Sequence, residues 1–406
     1  MNLSKLKIKF KNNKHSSSIY AFLKKIYFFF QKIFIFIIGI VFRFIPIKNN
    51  KIVVVNYNGK GYGDNNKYIV EELLKTGDDY EIVWLISGTK SKNEIPEQIK
   101  CVKNETIKAL YELSTAKIWI DNTIKRFKPK KRKGQVYIQT WHAGLGMKKV
   151  GIDVKNCDST YLNQTKEDAK ITDFVISNSD YRSKSYINDF GYKCEIIKNG
   201  LPRNDILINS CNDELLKENI KKRLNISNEY KILLYAPTFR RNSTIEVYDI
   251  NLINVKKALE NKYGGKWVVL LRLHPHISMF SSDLKNNGDF IDVTNYSDLS
   301  ELLLITDFLI SDYSSLIFDF SLTRRPALMY APDLNEYIEQ KQLAVMPEDL
   351  PYEISKNNLE LNEQIKNFDE NKYIKNLEEY FTKNGLVESG NSSKIICDKI
   401  FEIVRK

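Results

Sequence analysis

Short apolar runs alternate with amphipathic helical patterns along most of this chain, and that alternation restricts the fold more than any other feature. IVVV at 52–55 precedes the helical KYIVEELLK at 67–75. EIVWLIS (81–87) follows, then a helical pattern near 107–116 and KIWI at 117–120. VYIQT (136–140), DFVISNS (173–179) and CEII (194–197) continue the series. The same grammar resumes with KILLYAPT (231–238), KWVVLLRLHP (266–275), FLISDYSS (308–315) and PALMY (326–330). Continuous runs this short read as strands buried on both faces, and strand–helix alternation makes parallel sheets covered by helices. The polar stretch 208–230 separates the two series and reads as helix plus linker. The prediction is an α/β protein with two doubly wound, Rossmann-like domains facing across a cleft. An N-terminal domain occupies 51–210, a linker 211–230 and a C-terminal domain 231–406, preceded by an arm over 1–50. At ~100–200 residues per domain, 406 residues suit two.

Charge separates the arm from the body. The net charge is +12, with 62 basic and 50 acidic residues. Twelve of the basic residues, Lys5 to Lys60, precede the first acidic residue, Asp64, so the body from there onward is formally neutral. That weakens the reading of the charge as a basic nucleic-acid-binding face. The arm is also apolar: YAFLKKIYFFFQKIFIFIIGIVFRFIPI runs from Tyr20 to Ile47. Its longest apolar run, Ile33–Phe42, falls well short of the ~20 residues that span a bilayer. Lys25, Lys32 and Arg43 share one narrow face of a helix, and Pro46 would end it. The pattern predicts a helix lying in an anionic membrane interface or dipping steeply into it. A buried core helix is the plainer alternative, and a cleaved signal peptide lacks its small-residue cleavage site. Five scattered cysteines, none in a C-x-x-C pair, fit a reducing cytosol and make neither a disulfide framework nor a zinc site.

In doubly wound sheets, ligands bind beyond the carboxyl ends of the strands. Four such junctions carry unusual residues: Thr140 to Lys149 (TWHAGLGMKK), Asn199 to Asp205 (NGLPRND), Leu271 to His276 (LRLHPH) and Ser311 to Ser315 (SDYSS). Of four histidines, His15 lies in the arm, whereas His142, His274 and His276 follow predicted strands in different domains. Imidazole titrates near neutrality and suits proton transfer. For His276 the structural reading stays ahead. Ser314 and Ser315 stand where a helix N-terminus offers N–H groups and hydroxyls to a phosphate, although Asp312 or Ser314 would cap that helix without any ligand. Arg203, Arg240, Arg241 and Arg272 add cations to the same rim, which implies an anionic ligand in an otherwise neutral body. Gly59-Lys60-Gly61-Tyr62-Gly63 lacks both the Walker order and G-x-G-x-x-G. No H-E-x-x-H, cysteine pair or Asp-x-Asp argues for a metal.

Taken together, GKGYGDNNKYI (59–69), WHAGLGMKKVGID (141–153), NGLPRND (199–205), YAPTFR (235–240), LRLHP (271–275), SDYSSLIFDF (311–320) and RPALMYAPDLNEY (325–337) resemble the CDP-glycerol glycerophosphotransferases. That family builds teichoic-acid and related capsular polymers in bacteria. The resemblance implies a GT-B-like fold and a peripheral enzyme at the cytoplasmic face of the cell membrane. It also implies a CDP-glycerol or CDP-ribitol donor, a lipid-linked saccharide or polymer acceptor, and neither cofactor nor nucleic acid. An acceptor hydroxyl would attack the β-phosphorus and CMP would leave. His142 would be the general base, with Asp64, Asn65, Lys149 and Arg203 on the acceptor side. His274, Ser314 and Ser315 would hold the diphosphate, assisted by Arg240, Arg272, Pro237 and Thr238. Asp319 would touch ribose or serve the fold. Two departures stand out: many members have His-Gly-Thr where this chain has His142-Ala143-Gly144, and Ser389 to Ser393 replaces a common Ser-Arg pair. An inverting glycosyltransferase using a sugar nucleotide, or a non-catalytic membrane-bound scaffold, are the alternatives.

Overall fold

The computed structural model describes Phe30 and residues 33–88, 90–154, 159–238, 240, 245–273, 288–340 and 343–405. His15, Arg241, His274 and His276 lie outside them. Thirteen strands are described: β1 (Lys48–Val55), β2 (Glu81–Ile86), β3 (Lys100–Lys103), β4 (Ala116–Asp121), β5 (Val136–Gln139), β6 (Phe174–Ser177), β7 (Glu195–Lys198), β8 (Tyr230–Ala236), β9 (Lys266–Leu271), β10 (Ile291–Asp292), β11 (Phe308–Ser311), β12 (Ala327–Tyr330) and β13 (Ile354–Ser355). All pairings between them are parallel. The first sheet runs β3-β2-β1-β4-β5-β6-β7 and the second β10-β9-β8-β11-β12-β13. Two parallel α/β domains are thus present, as the strand–helix alternation predicts.

The period of two explains why the strands are continuously apolar. In β1, Ile52 and Val54 enter one hydrophobic cluster with Ile69 and Leu73 of helix Asp64–Lys75. Val53 and Val55 enter another with Ala109 and Leu113 of helix Ile107–Thr115. Each face of the sheet needs its own apolar set, so no position in the run is left polar.

Three boundaries differ from the sequence reading. β1 begins at Lys48, inside the span assigned to the arm. The span read as a linker contains helix Glu214–Arg223, capped by Asp213, which accepts the Leu216 N–H at 3.0 Å. Its Ile220 is buried in the second domain's core, so the segment belongs to that domain. Helix Ser392–Arg405, read with the second domain, instead packs on the first: Ile396, Cys397, Ile400 and Ile403 join the cluster of Ile52 and Ile69. Its amino end is received by Asp205, whose carboxylate accepts the Ser392 and Ser393 N–H groups at 3.0 and 2.7 Å. Apolar spacing at i, i+4 and i+7 shows that the helix has a buried face, but not which sheet covers it.

Ahead of β1, residues 33–42 are helical. Gly39 lies against Pro129, and the Phe42 ring meets Tyr111 edge-on at 5.6 Å. Ile33, Phe34, Phe36, Ile37, Ile40, Val41 and Phe44 are exposed. Among the described residues no helix is long and apolar enough to cross a membrane.

Candidate active site between the two domains

Strand order reverses between β1 and β4 in the first sheet and between β8 and β11 in the second. Those switch points open crevices at the carboxyl ends of the strands. The chain leaves β1 through three consecutive left-handed residues, Tyr57 (φ 42°), Asn58 (φ 57°) and Gly59 (φ 96°). Asp64, at the start of the following helix, is left-handed as well (φ 58°). Beyond β5, Trp141 is held at φ 48°. Non-glycine residues pay strain in this region, and they persist where surrounding bonds over-determine them. Around Trp141 those bonds are present. Its N–H donates to Gln139 Oε1 at 3.0 Å and its indole to the Tyr192 hydroxyl at 3.0 Å, while Asn65 Nδ2 donates to its carbonyl at 3.0 Å.

This turn presents His142, which is half-buried. Its Nδ1 lies 2.8 Å from the Asn122 carbonyl, which can only accept. The proton is therefore assigned to Nδ1, leaving Nε2 as the free acceptor. Burial lowers the His142 pKa, the Asn122 carbonyl and Asp64 working against it. A neutral imidazole with a free Nε2 can take a proton. Two partners of this arrangement escaped the sequence reading. Asn122, just past β4, also accepts the Tyr57 N–H on Oδ1 at 2.7 Å, and the Tyr57 ring lies 5.4 Å from the imidazole. The Tyr57 hydroxyl donates to Asp64. Both residues sit at carboxyl ends of predicted strands, so the junction rule applied to β1 and β4 finds them.

Arg203 occupies the seam. Nη1 donates to the His142 carbonyl at 2.6 Å and to Asp64 Oδ1 at 3.1 Å; Nη2 donates to Asp319 Oδ2 at 2.8 Å. Its backbone N–H reaches Asn65 Oδ1 at 3.2 Å. The predicted acceptor-side residues Asp64, Asn65 and Arg203 thus do converge on His142. Asp319, grouped by the sequence reading with the donor-binding residues, is turned instead to Arg203, with Asn204 Nδ2 also donating to it at 3.2 Å. Asn204 passes the network on to Glu388, which accepts from Asn204 and Asn178 at 2.8 Å each and from the Leu201 N–H at 3.0 Å. Burial pushes Glu388 up to about 8. Lys149 stands apart on the surface, 4.0 Å from Asp153.

The loop beyond His142 crosses into the second domain. Leu145 and Met147 are buried in that domain's core, and the Met147 carbonyl accepts the Ala344 N–H at 2.8 Å. Gly144 has no room for a side chain, because a methyl group there would collide with the Asn178 amide. A threonine at this point would require the Asn178 side chain to move.

On the opposite wall, Arg272 follows β9. Nη1 donates to the Val293 and Tyr296 carbonyls at 3.1 and 2.7 Å. Burial lowers its pKa, and no ion pair to a carboxylate is described for it. Its charge bears on the Tyr57 phenol of the first domain. Arg240 differs from the expected donor-binding cation. Its Nε and Nη2 grip Asp333 at 2.9 and 3.0 Å, Nη1 pairs with Asp312, and Tyr313 stacks on the guanidinium at 4.8 Å. A fork committed to two carboxylates holds the fold of this wall rather than a free phosphate. Asp312 also accepts the Thr238 N–H at 2.9 Å, so it ties the loop after β8 to the loop after β11 and does not cap the next helix. Pro237 is buried in that first loop. Ser314 and Ser315 are half-buried before the short helix Leu316–Phe320; no side chain caps it, and among the described residues Ser314 Oγ accepts the Leu316 N–H alone, at 3.4 Å.

Two doubly wound domains, a neutral imidazole on one wall and a desolvated guanidinium on the other, define a GT-B-like group transferase. Residues 37–402 match the family described as CDP-Glycerol:Poly(glycerophosphate) glycerophosphotransferase, and the chain belongs to it. It is a transferase of the type its motifs led one to expect. It is 32% identical to the teichoic acid glycerol-phosphate transferase of Staphylococcus aureus, over 87% of this chain and 93% of that one. It is also 32% identical to the teichoic acid poly(glycerol phosphate) polymerase of Staphylococcus epidermidis, over 89% of this chain but only 52% of the polymerase. Among solved structures, the wall teichoic acid polymerase TagF superposes with a TM-score of 0.79 at 30% identity, covering 88% of this chain and 90% of that one.

Proposed function

We propose that this chain transfers glycerol phosphate from CDP-glycerol to a hydroxyl of a membrane-linked teichoic-acid-type acceptor. The observation that carries the reading is the neutral His142, its Nε2 free, set in the crevice across from Arg272. The acceptor oxygen forms a bond to the β-phosphorus while Nε2 takes its proton. The bond from that phosphorus to the bridging oxygen breaks, and CMP leaves with the electron pair. Arg272 supplies positive charge toward the diphosphate, with Ser314, Ser315 and His274 as its expected companions. Positioning and charge stabilisation are most of what phosphoryl transfer asks of a protein. Glycerol is favoured over ribitol because the two relatives named above act on glycerol phosphate at 32% identity, whereas relatives named for ribitol phosphate stand at 27 and 28%. A solved complex of TagF carries CDPG, which supports the same donor.

A membrane address accompanies the chemistry. The exposed apolar helix 33–42 rests on Pro129, in the middle of KRFKPKKRK (125–133), which holds seven cations in nine residues. Arg132 ties the two together, donating to the Ile45 carbonyl at 2.7 Å. Arg126, Lys130 and Lys133 are exposed, and none has a described carboxylate partner. An apolar stripe beside free cations suits an anionic bilayer surface at the cytoplasmic face.

The test is nucleotide release with membranes as acceptor, from a panel of CDP-glycerol, CDP-ribitol and UDP-sugars. CMP released from CDP-glycerol is expected. UMP or UDP release would point to a sugar donor, and silence with every donor to a scaffold.

A further inference from the structure

The scheme above leaves one buried cation near the base without a task. Arg182, on helix Asp180–Asn188, is 4% exposed. Its Nε donates to the Gly144 carbonyl at 2.6 Å and Nη1 reaches Ser185 Oγ at 3.5 Å. The Tyr181 and Tyr186 rings lie 5.6 and 5.8 Å from the guanidinium. Among the described residues no carboxylate pairs with it. An unpaired buried charge is costly to desolvate, so its retention calls for a compensating use.

The contacts show where that use lies. Gly144 is two residues beyond His142, and Tyr181 donates to the Gly146 carbonyl at 3.1 Å. The start of one helix therefore grips the backbone of the His142 loop at two carbonyls, while Arg203 grips the carbonyl of His142 itself. The approach is close at Gly146, where a methyl group would lie 3.2 Å from Arg182 Nη2.

We propose that Arg182 is a positioning residue for the base: it fixes the His142 loop through the Gly144 carbonyl and adds a buried positive charge that disfavours the imidazolium. The groups facing His142 act in both directions. The Asn122 carbonyl and Asp64 favour the imidazolium, Arg203 and Arg182 oppose it, and the Tyr57 and Trp141 rings flank it. Burial is the largest influence disfavouring the imidazolium, Arg182 adds to it against Asp64, and removing Arg182 should move the ring modestly toward protonation. The functional part of this inference rests on His142 being the base; the electrostatic part does not.

The experiment uses the full chain labelled with 13C-histidine. There are four histidines, and His142→Ala assigns the signal. Arg182→Gln removes the charge but keeps a donor for Gly144; Arg182→Lys keeps the charge but not the planar fork. The His142 midpoint should rise by about half a pH unit in Arg182→Gln and stay at the wild-type value in Arg182→Lys. Arg182→Lys should lower kcat by about tenfold or more with the donor KM unchanged. A folded Arg182→Gln protein with an unmoved midpoint overturns the proposal. Should that variant not fold, unaltered kcat in Arg182→Lys does so. Full turnover in His142→Ala would remove the base reading instead, and the titration would still judge the charge.

Discussion

Arg203 of the first domain bonds Asp319 of the second at 2.8 Å while its other nitrogen holds Asp64 and the carbonyl of His142. One guanidinium thereby joins the domain seam to the base. Arg203→Met strands two buried carboxylates, which costs about 3–5 kcal/mol. Urea midpoints at pH 7 check this, and adding Asp319→Asn should recover part of the loss.

Changing His142 to Ala should lower turnover by at least about a hundredfold while CDP-glycerol still binds. Because burial lowers its pKa, the imidazole stays a base below pH 6.5. The acid limb of kcat/KM should therefore lie beneath that value. A limb above it would contradict the neutral, Nδ1-protonated ring.

Among the described residues the Arg272 side chain bonds only carbonyls, so its loss should cost binding rather than folding. Arg272→Gln is expected to weaken CDP-glycerol by roughly tenfold to a hundredfold, the worth of a charged hydrogen bond. Calorimetric titration of the donor, beside an unchanged melting temperature, is the check.

Glu388 is raised from an ordinary 4.5 to about 8. A raised carboxyl binds more protons folded than unfolded between those values, so its stabilising contribution is complete below 4.5 and is lost as pH rises through 8. The stability difference between wild type and Glu388→Gln should therefore shift against wild type across pH 4.5–8 and flatten above. Parallel curves would place its titration elsewhere.

Serine at Ile37, Ile40 and Phe44 should release the protein from anionic vesicles at any salt. Serine at Arg126, Lys130 and Lys133 should act as added salt does, weakening binding to anionic vesicles and sparing what little occurs on neutral ones. Co-flotation distinguishes the two sets.

Much of the fold was legible because a strand buried on both faces has no polar position to blur it, as in Ile52–Val55 or Val268–Leu271. Strands β3, β10 and β13 were not, being two to four residues long and set toward sheet edges, where Lys100, Lys103 and Asp292 are tolerated. At the site, the junction rule located His142 because position along a strand is a local property. Pairing is not local. Arg240 and Arg203 looked like free cations until Asp312, Asp333 and Asp319 arrived from distant segments. The junction rule reaches Asn122 by position, but it does not tell that its carbonyl would accept the hydrogen bond from the imidazole.

The docking of helix Ser392–Arg405 onto the first sheet also carries a matter of timing. During synthesis the amino-terminal half emerges with one flank of its core bare, since Ile396, Cys397, Ile400 and Ile403 are still to be made. The apolar helix at 33–42, for which a membrane address is proposed above, is synthesised long before that flank is covered. Until those residues are made, the first domain should stay open to non-native apolar contacts along that flank.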